Sequence, residues 1–283
     1  WLMMIFGIAV TSGLIGAMLD PYSPARLMAI VAVVTVGAVL LTAAAIWGIE
    51  RRVIPARLPD ETPLRQGLAE VWAEKRTRVF TLFIFLSMSA FFLQELILEP
   101  YAGLVFAYSP GASTSLSGAQ HGGMFIGMLA VGIAVSGLKI GSLRAWVVGG
   151  CLGSAVMLAV IAALGQVRVD LLTPAVAVLG VFSGMFAIAS IGAMMQLAGQ
   201  GRAGREGTRM GVWGASQAIA QGLGGFAGAA LVDALRLSGS NANAFGMVFV
   251  LEALLFVAAG VMAWKIIDGG RLRAPAPQLV PGE

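Results

Sequence analysis

The residues with the clearest chemical potential are two glutamates and a glutamine at the end of one apolar run. Glu95 and Glu99 stand four positions apart, directly after Gln94, in a run that begins near Val79. In a helix this spacing puts both carboxylates on one face, with Glu95 about 24 Å along the axis and Glu99 at the boundary of the run. Such a patch could titrate a proton or offer oxygen ligands to magnesium. The structural alternative is that both carboxylates hydrogen-bond to a following loop, 99–120, and fix it on the helix.

Four further polar residues lie in or beside apolar runs. Glu252 stands inside the last run, and we expect it to face a neighbouring helix or a partner protein, a buried pair being the simpler reading. His121, after Gln120, is expected to open a run at the membrane interface, as a polar terminus or as a ligand. Gln217 and Gln221 are expected to hydrogen-bond between helices.

The composition makes lipid the main solvent of this chain. Of 283 residues, 58% are hydrophobic and 11% charged, and the mean hydropathy is +0.89, whereas soluble domains carry about 25% charged residues. The apolar runs predict an all-α, polytopic membrane protein with eight spans, at residues 1–19, 27–49, 79–98, 121–138, 145–166, 171–199, 211–232 and 244–267. A charged side chain at membrane depth costs about 2.5–3.5 kcal/mol, so each polar residue above needs a partner or a function.

The sequence offers little for catalysis or metal binding. Cys151 is the only cysteine and His121 the only histidine, so a disulfide framework and a zinc or iron–sulfur cluster are excluded. No pairing of nucleophile and base and no phosphate-binding glycine loop is recognisable. We therefore expect no enzyme, no catalytic residue, no metal site and no cofactor of the chain's own.

The basic residues predict the orientation of the spans. Of the 18 lysines and arginines, all but Arg26, Arg168 and Arg236 lie in the connections after the second, fourth, sixth and eighth spans. Basic loops stay in the cytoplasm, so we expect the long central loop and the C-terminus on that side. The net charge of +4 reflects this sorting, and no nucleic-acid partner is expected.

The long connection predicts the domain organisation. Two spans precede it and six follow, as in the rear part of a major-facilitator protein with two six-helix halves. Residues 1–49 are predicted to be the last two spans of a first half whose first four spans are absent, and residues 50–78 the central loop. Residues 79–267 are predicted to be a six-helix half, followed by a flexible cytoplasmic tail, 268–283. The loop is expected to hold an amphipathic interfacial helix, capped by Thr62 and Pro63, with Leu64, Leu68, Val71 and Trp72 on one face.

Three stretches resemble a known family. They are GLAEVWAEKRTRVFTLFIFLSMSAFFLQELILEPYAGLV (67–105), GREGTRMGVWGASQAIAQGLG (204–224) and DPYSPARL (20–27). Together they are similar to the PucC/LhaA family, major-facilitator-type membrane proteins of phototrophic bacteria also grouped as a bacteriochlorophyll delivery family. The QELILEPY segment resembles the family signature, in which the position of Glu95 is more often Asp. The order of the stretches resembles spans five to twelve of twelve.

The resemblance implies an accessory, non-catalytic role in assembling light-harvesting complexes. It implies antenna polypeptides or the reaction-centre core complex as partners beside membrane lipids, and a bacterial inner (intracytoplasmic) membrane as the location. Bound bacteriochlorophyll, carotenoid or lipid would be cargo. Glu95, Glu99 or His121 would then be candidate ligands of the pigment's magnesium.

Small residues recur every fourth position in two of the predicted spans. Gly214, Ala218 and Gly222 form one stripe, Gly225 and Ala229 form a second, and Gly123 and Gly127 form a third in another span. Such stripes let helix backbones approach closely. We expect packing inside the bundle; the alternative is a surface that receives a pigment macrocycle or an antenna helix.

A second function class stays open from sequence. A proton-coupled secondary transporter of a small solute would use Glu95 as its proton site. Alternating access requires both halves of the fold to move against each other, so a chain of these eight spans alone favours the assembly role.

Overall fold

A computed structural model describes residues 2–47, 64–167, 169–199, 205–237 and 239–267. These residues form ten α-helices and one π-helical turn, and the described ranges contain no strand. In chain order the helices are α1 (Leu2–Leu19), α2 (Pro24–Ile46), α3 (Leu64–Ala73), α4 (Lys75–Glu95), α5 (Leu98–Phe106), α6 (Pro110–Gly132), α7 (Leu143–Val167), α8 (Leu172–Ala198), α9 (Glu206–Arg236) and α10 (Asn241–Ile266). The π-helical turn, Ile133–Gly137, extends α6.

Eight helical segments of the described chain are long and apolar enough to cross a membrane. One is formed by α4 and α5 together, Lys75–Phe106, and another by α6 with its π-helical turn, Pro110–Gly137. The predicted all-α, polytopic membrane fold with eight spans is thereby confirmed. The major-facilitator architecture and the numbering of the spans stay predictions.

The segment 99–120 is not a loop, so that prediction is wrong. It holds most of α5, a three-residue link and the first half of α6. Ser109 caps α6, because its Oγ accepts a hydrogen bond from the backbone N–H of Ala112 at 3.1 Å, and Pro110 occupies the first turn. These are standard helix-start residues. The small and hydroxylated residues after Pro110 have low hydropathy, which is typical of a loop. The span nevertheless begins at Pro110, eleven residues before the predicted start.

The amphipathic helix predicted in the central connection exists as α3. Val71 is buried at 1% exposure, while Leu68 and Trp72 are 45% and 48% exposed. The predicted capping residues Thr62 and Pro63 lie outside the described residues, as does the tail 268–283. The placement of α3 along a membrane surface and the division into two halves stay predictions.

The helices from α4 onward form one bundle. In it α8 packs between α6 and α7, α10 packs against α7 and α4, and α9 packs on α4. The remaining long helices lie on one side, where α1 packs on α6 and α2 touches α1. Only Ile30 of α2 is buried, so this helix presents nearly its whole surface outward.

Glycines let α6 and α8 touch backbone to backbone. The residues at this contact are Gly123 and Gly127 on α6 and Gly180 and Gly184 on α8. A Cβ on Gly123 would collide with the carbonyl oxygen of Ala177 across the interface. Backbones this close gain dispersion contacts that larger side chains would prevent. The predicted packing role of Gly123 and Gly127 is confirmed.

The two small-residue stripes of α9 behave differently. A Cβ on Gly214 or Gly222 would have no atom within 4 Å, and Ala218 between them is exposed. The packing expected of this first stripe is therefore wrong for the described helices. The second stripe packs at Gly225, where a Cβ would lie 3.0 Å from Leu96. The first stripe, which we call the α9 stripe, faces away from the described bundle.

Two ion pairs fasten α9 to the junction of α3 and α4. Arg209 donates from Nη2 to Glu74 Oε1 at 2.6 Å and from Nε to Oε2 at 3.0 Å, and its Nη1 donates to the carbonyl oxygen of Ala198 at 3.0 Å. Arg205 pairs with Glu70 at 3.0 Å. We call this end of the bundle the basic end; it is the end predicted to be cytoplasmic.

The close contact of α6 and α8 predicts a contrast between two adjacent glycines. Gly123→Ala should destabilise the protein by about 1–3 kcal/mol, because the added methyl group overpacks the backbone contact. Thermal unfolding in detergent measures this, with Gly122→Ala as the control, since a Cβ there meets nothing within 4 Å. Equal stability of the two variants would contradict the packing.

The ion pair of Arg209 predicts a second loss of stability. Arg209 is 1% exposed, so Arg209→Met should cost about 3 kcal/mol by leaving Glu74 and the carbonyl of Ala198 without their donor. Denaturant unfolding measures the loss. Arg78→Met, which removes an exposed arginine of α4, should stay within about 0.5 kcal/mol of the parent.

Candidate functional site

The structure divides the candidate site residues into a buried and an accessible group. The buried group is Gln94 and Glu252, both 0% exposed, and His121, 7% exposed. The accessible group is Glu95, Glu99 and Gln221, which are exposed, and Gln217, which is half-buried. The sequence did not separate these two groups, because all seven residues lie in strongly apolar surroundings along the chain.

Glu252 lies fully buried inside the bundle. On α10 it shares a face with Phe249 and Phe256, three residues before it and four after it. These two rings pack on Tyr101 of α5 and on Phe186 of α8, so Glu252 faces the interior of the bundle. Both carboxyl oxygens are buried without a hydrogen-bond partner in the described chain. The expectation of a neighbouring helix is correct. The alternative of a partner protein is wrong, and the expected buried pair is not formed within the described ranges.

Gln94 occupies the same section of the bundle. The ring of Tyr101 lies 5.4 Å from that of Phe245 and 4.9 Å from that of Phe249, between centroids. Gln94 lies seven residues before Tyr101, and Glu252 lies seven residues after Phe245 and three after Phe249. Because the α4–α5 segment and α10 run antiparallel, these offsets place the Gln94 amide and the Glu252 carboxyl at similar depth in the bundle. Both polar atoms of the Gln94 amide also lack a partner in the described residues.

Glu95 and Glu99 are exposed and close together, but not on one continuous helix. The α-helix ends at Glu95 and restarts at Leu98 after a turn in which the N–H of Ile97 donates to the carbonyl oxygen of Gln94 at 3.1 Å. The two carboxylates remain near enough to repel each other. Glu99 lies within the helical segment Lys75–Phe106, and its place at the membrane boundary stays a prediction. The alternative in which both carboxylates hold a loop is also wrong, since no such loop exists.

His121 is a buried residue in the middle of α6, and its predicted position at the start of a span is wrong. Its Nδ1 lies 2.9 Å from the carbonyl oxygen of Ser117. A carbonyl oxygen only accepts hydrogen bonds, so Nδ1 carries the proton. In the neutral ring Nε2 therefore keeps its lone pair.

Gln217 and Gln221 do not lie in the packed core of the bundle. Gln221 is exposed beside Gly222, on the open part of the α9 stripe, and Gln217 is half-buried one turn earlier. The hydrogen bond expected to run from Gln221 to a neighbouring helix is therefore wrong for the described bundle. Both amides are placed to meet whatever lies against this face.

Polar contacts at the end opposite the basic end were missed by sequence reasoning. Ser109 Oγ donates to Asp20 Oδ2 at 2.6 Å, and Tyr108 Oη donates to Asp170 Oδ1 at 2.7 Å. Partial burial raises the pKa of Tyr108 above its ordinary value, so its phenol keeps the proton that it donates. These bonds join three short connections. Spacing could not reveal them, because the partners are 62 and 89 residues apart.

The ion pairs of the basic end were also missed, although the sequence carried a signal. Glu70 and Glu74 are four residues apart, and so are Arg205 and Arg209. Matching spacing on two helices is what a pair of parallel bridges requires. In the sequence the arginines indicate only the orientation of the spans.

Several features of the described residues are suited to binding. No group of three or more His, Cys, Asp or Glu side chains comes together in this part of the chain. The arrangement offers two exposed carboxylates, an open small-residue face and buried polar atoms without partners. These features can recognise a helix or a polar headgroup without a covalent step.

Comparison with known proteins gives a consistent result. A family model described as PUCC protein matches residues 1–270. The chain is 60% identical over 285 residues to the bacteriochlorophyll synthase 44.5 kDa chain of Rhodobacter capsulatus, covering 100% of this chain and 66% of that protein. It is 26% identical to protein PucC of Rhodobacter capsulatus, covering 96% and 60% of the two chains. With protein PucC of Cereibacter sphaeroides it shares 29% identity, covering 84% and 52%.

The chain thus spans between 52% and 66% of the length of these relatives. The match to the family model extends over nearly all of the sequence, including every described helix. The predicted resemblance is confirmed, and the chain belongs to the PUCC protein family.

Proposed function

We propose that this protein is an accessory factor for the assembly of photosynthetic light-harvesting complexes and that it binds antenna polypeptides within the membrane. Membership of the PUCC family supports this proposal, as does the bacteriochlorophyll-related name of the relative with 60% identity. The chain's own contribution is a surface that holds a partner helix.

The observation that carries the proposal is the outward face of α9. Gly214, Ala218 and Gly222 repeat every four residues along it, and the two glycines have open space where a side chain would stand. A small-residue face lets another helix approach to backbone distance. Gln221 beside it can donate and accept hydrogen bonds across the contact. An antenna polypeptide, as a membrane-spanning helix, has the shape that this face accommodates.

The exposed carboxylates lie next to the far end of this face. Gly225 of α9 packs against Leu96, which directly follows Glu95 in the chain. Glu95 and Glu99 can therefore contact the end of a helix seated on α9, or present an oxygen to the magnesium of its bacteriochlorophyll. An axial ligand must reach the magnesium at the face of the flat macrocycle, and the exposed glutamates are accessible enough to do so. His121 fits less well, because at 7% exposure its ring is enclosed by its own bundle.

The name of the relative with 60% identity includes the word synthase. We propose a non-catalytic role for this chain, supported by the binding character of its site. The inner (intracytoplasmic) membrane of a phototrophic bacterium is the proposed location, with the basic end in the cytoplasm. A major-facilitator arrangement, with α1 and α2 as the end of a first half, is supported by the packing of α1 on α6.

Extraction of the full-length protein in mild detergent tests this function. We expect antenna polypeptides or bacteriochlorophyll absorbance to accompany it. Ala218→Leu should reduce the associated polypeptide by about tenfold, because a bulky group keeps a helix from the α9 face. Gly37→Leu, at an equally open glycine of α2, is the control. A colourless, solitary protein that moves a solute into vesicles would instead establish the transporter hypothesis.

The carboxylates provide a separate test. Replacing Glu95 and Glu99 together by glutamine should weaken association with antenna polypeptides about fivefold or more, since the charge-assisted contacts are lost. Both side chains are exposed, so thermal stability should stay close to that of the parent. Full association by a folded double variant would remove both residues from the site.

A further inference from the structure

An open groove lies near the basic end, beside the α9 stripe. It has a volume of ≈ 590 Å³ and is bordered by α3, α4 and the first half of α9. Its lining is Arg65, Leu68, Ala69 and Trp72 from α3, Thr81 and Phe85 from α4, and Val212, Ala215, Ser216 and Ile219 from α9. The volume is that of an ordinary small-ligand site.

The floor of the groove is apolar even where hydroxyl groups line it. Thr81 Oγ1 donates to the carbonyl oxygen of Thr77 at 2.8 Å, and Ser216 Oγ donates to that of Thr81 at 3.2 Å. Both protons are thus used inside the protein. A ligand in this groove would contact mainly aliphatic and aromatic side chains, and the acyl chain of a lipid suits such a surface.

The groove has one cationic side chain in its lining, Arg65. Arg205 and Arg209 nearby are held by Glu70 and Glu74. Arg65 is exposed, and it has no carboxylate partner within the described ranges. It stands seven residues from Trp72, two turns or about 10 Å along α3. Among the described residues, the groove therefore combines an unpaired positive charge with an apolar floor.

We propose that this groove binds an anionic glycerophospholipid, with its phosphate on Arg65 and an acyl chain along Leu68, Trp72 and Ile219. The charge complements an acidic headgroup, and juxtamembrane basic residues are typical contacts of anionic lipid. A free phosphate would leave the apolar floor unused, and a zwitterionic lipid would bring a cation beside Arg65 together with its phosphate. The charged part and the apolar part of the groove together fit one molecule that is both amphipathic and acidic.

Native mass spectrometry of the full-length protein tests the proposal. The protein is titrated with phosphatidylglycerol or phosphatidylcholine of equal chain length. Phosphatidylglycerol should bind at least about fivefold more tightly, and Arg65→Gln should remove that preference, since one arginine near a membrane surface contributes about this factor. Arg78→Gln, which removes an exposed charge of α4 outside the groove, should leave the preference intact.

Filling the groove tests its apolar half. Ala215→Phe should abolish tight binding of both lipids, whereas Ala230→Phe, at an exposed position of the same helix outside the groove, should not. Inorganic phosphate at millimolar concentration should fail to displace the lipid. Equal loss in Arg65→Gln and Arg78→Gln, displacement by phosphate alone, or a bound polypeptide in place of lipid would each overturn the proposal. Antenna association can fail independently of these outcomes.

Discussion

In lipid, two apolar helices gain little hydrophobic energy by meeting, so the bundle depends on helix backbones that come into direct contact. Gly123 against Ala177 and Gly180 against Gln120 make that contact between α6 and α8. The contact fixes the rotation of both helices about their axes. Once α6 is rotated in this way, His121 faces the interior and Gly122 faces open space. The position of a polar side chain in this protein is therefore a consequence of where glycine allows close approach.

Aromatic rings extend the same core toward the helices that carry the carboxyl groups. Phe186 of α8 lies between Phe83 of α4 and Phe256 of α10, with centroids 6.4 and 5.9 Å away. Gln94 and Glu252 lie in the same bundle, and their buried polar atoms have no hydrogen-bond partner within the described residues. Buried polar groups in this state lower the stability of a fold.

The exposed charges and open surfaces of the molecule differ between its two ends. The basic end holds paired arginines and an apolar groove, whose Arg65 has no carboxylate partner among the described residues. The other end of the α4–α5 span carries exposed carboxylates beside the open face of α9. The proposed assembly role depends on such exterior surfaces rather than on an enclosed reactive centre. The groove and the open face of α9 adjoin, since Ala215 and Ile219 of the groove directly follow Gly214 and Ala218 in the chain.

The sequence alone determined the solvent, the number of spans and the family. Hydropathy summed over about 20 residues is a strong signal, because the cost of exposing backbone in lipid forces each apolar run into a helix. The family resemblance was equally readable from QELILEPY and the two other stretches. The start of α6 was missed because Ser and Gly lower hydropathy without preventing a helix.

Only the tertiary structure decided which side of each helix faces inward. Lipid and a neighbouring helix are both apolar, so a spanning helix carries no clear polar and apolar sides from which its orientation could be read. The stripe at Gly123 packs and the stripe at Gly214 does not, although their spacing is the same. Glu252 is buried and Glu95 exposed for the same reason. Orientation depends on contacts between residues far apart in the chain, and a single sequence does not record those contacts.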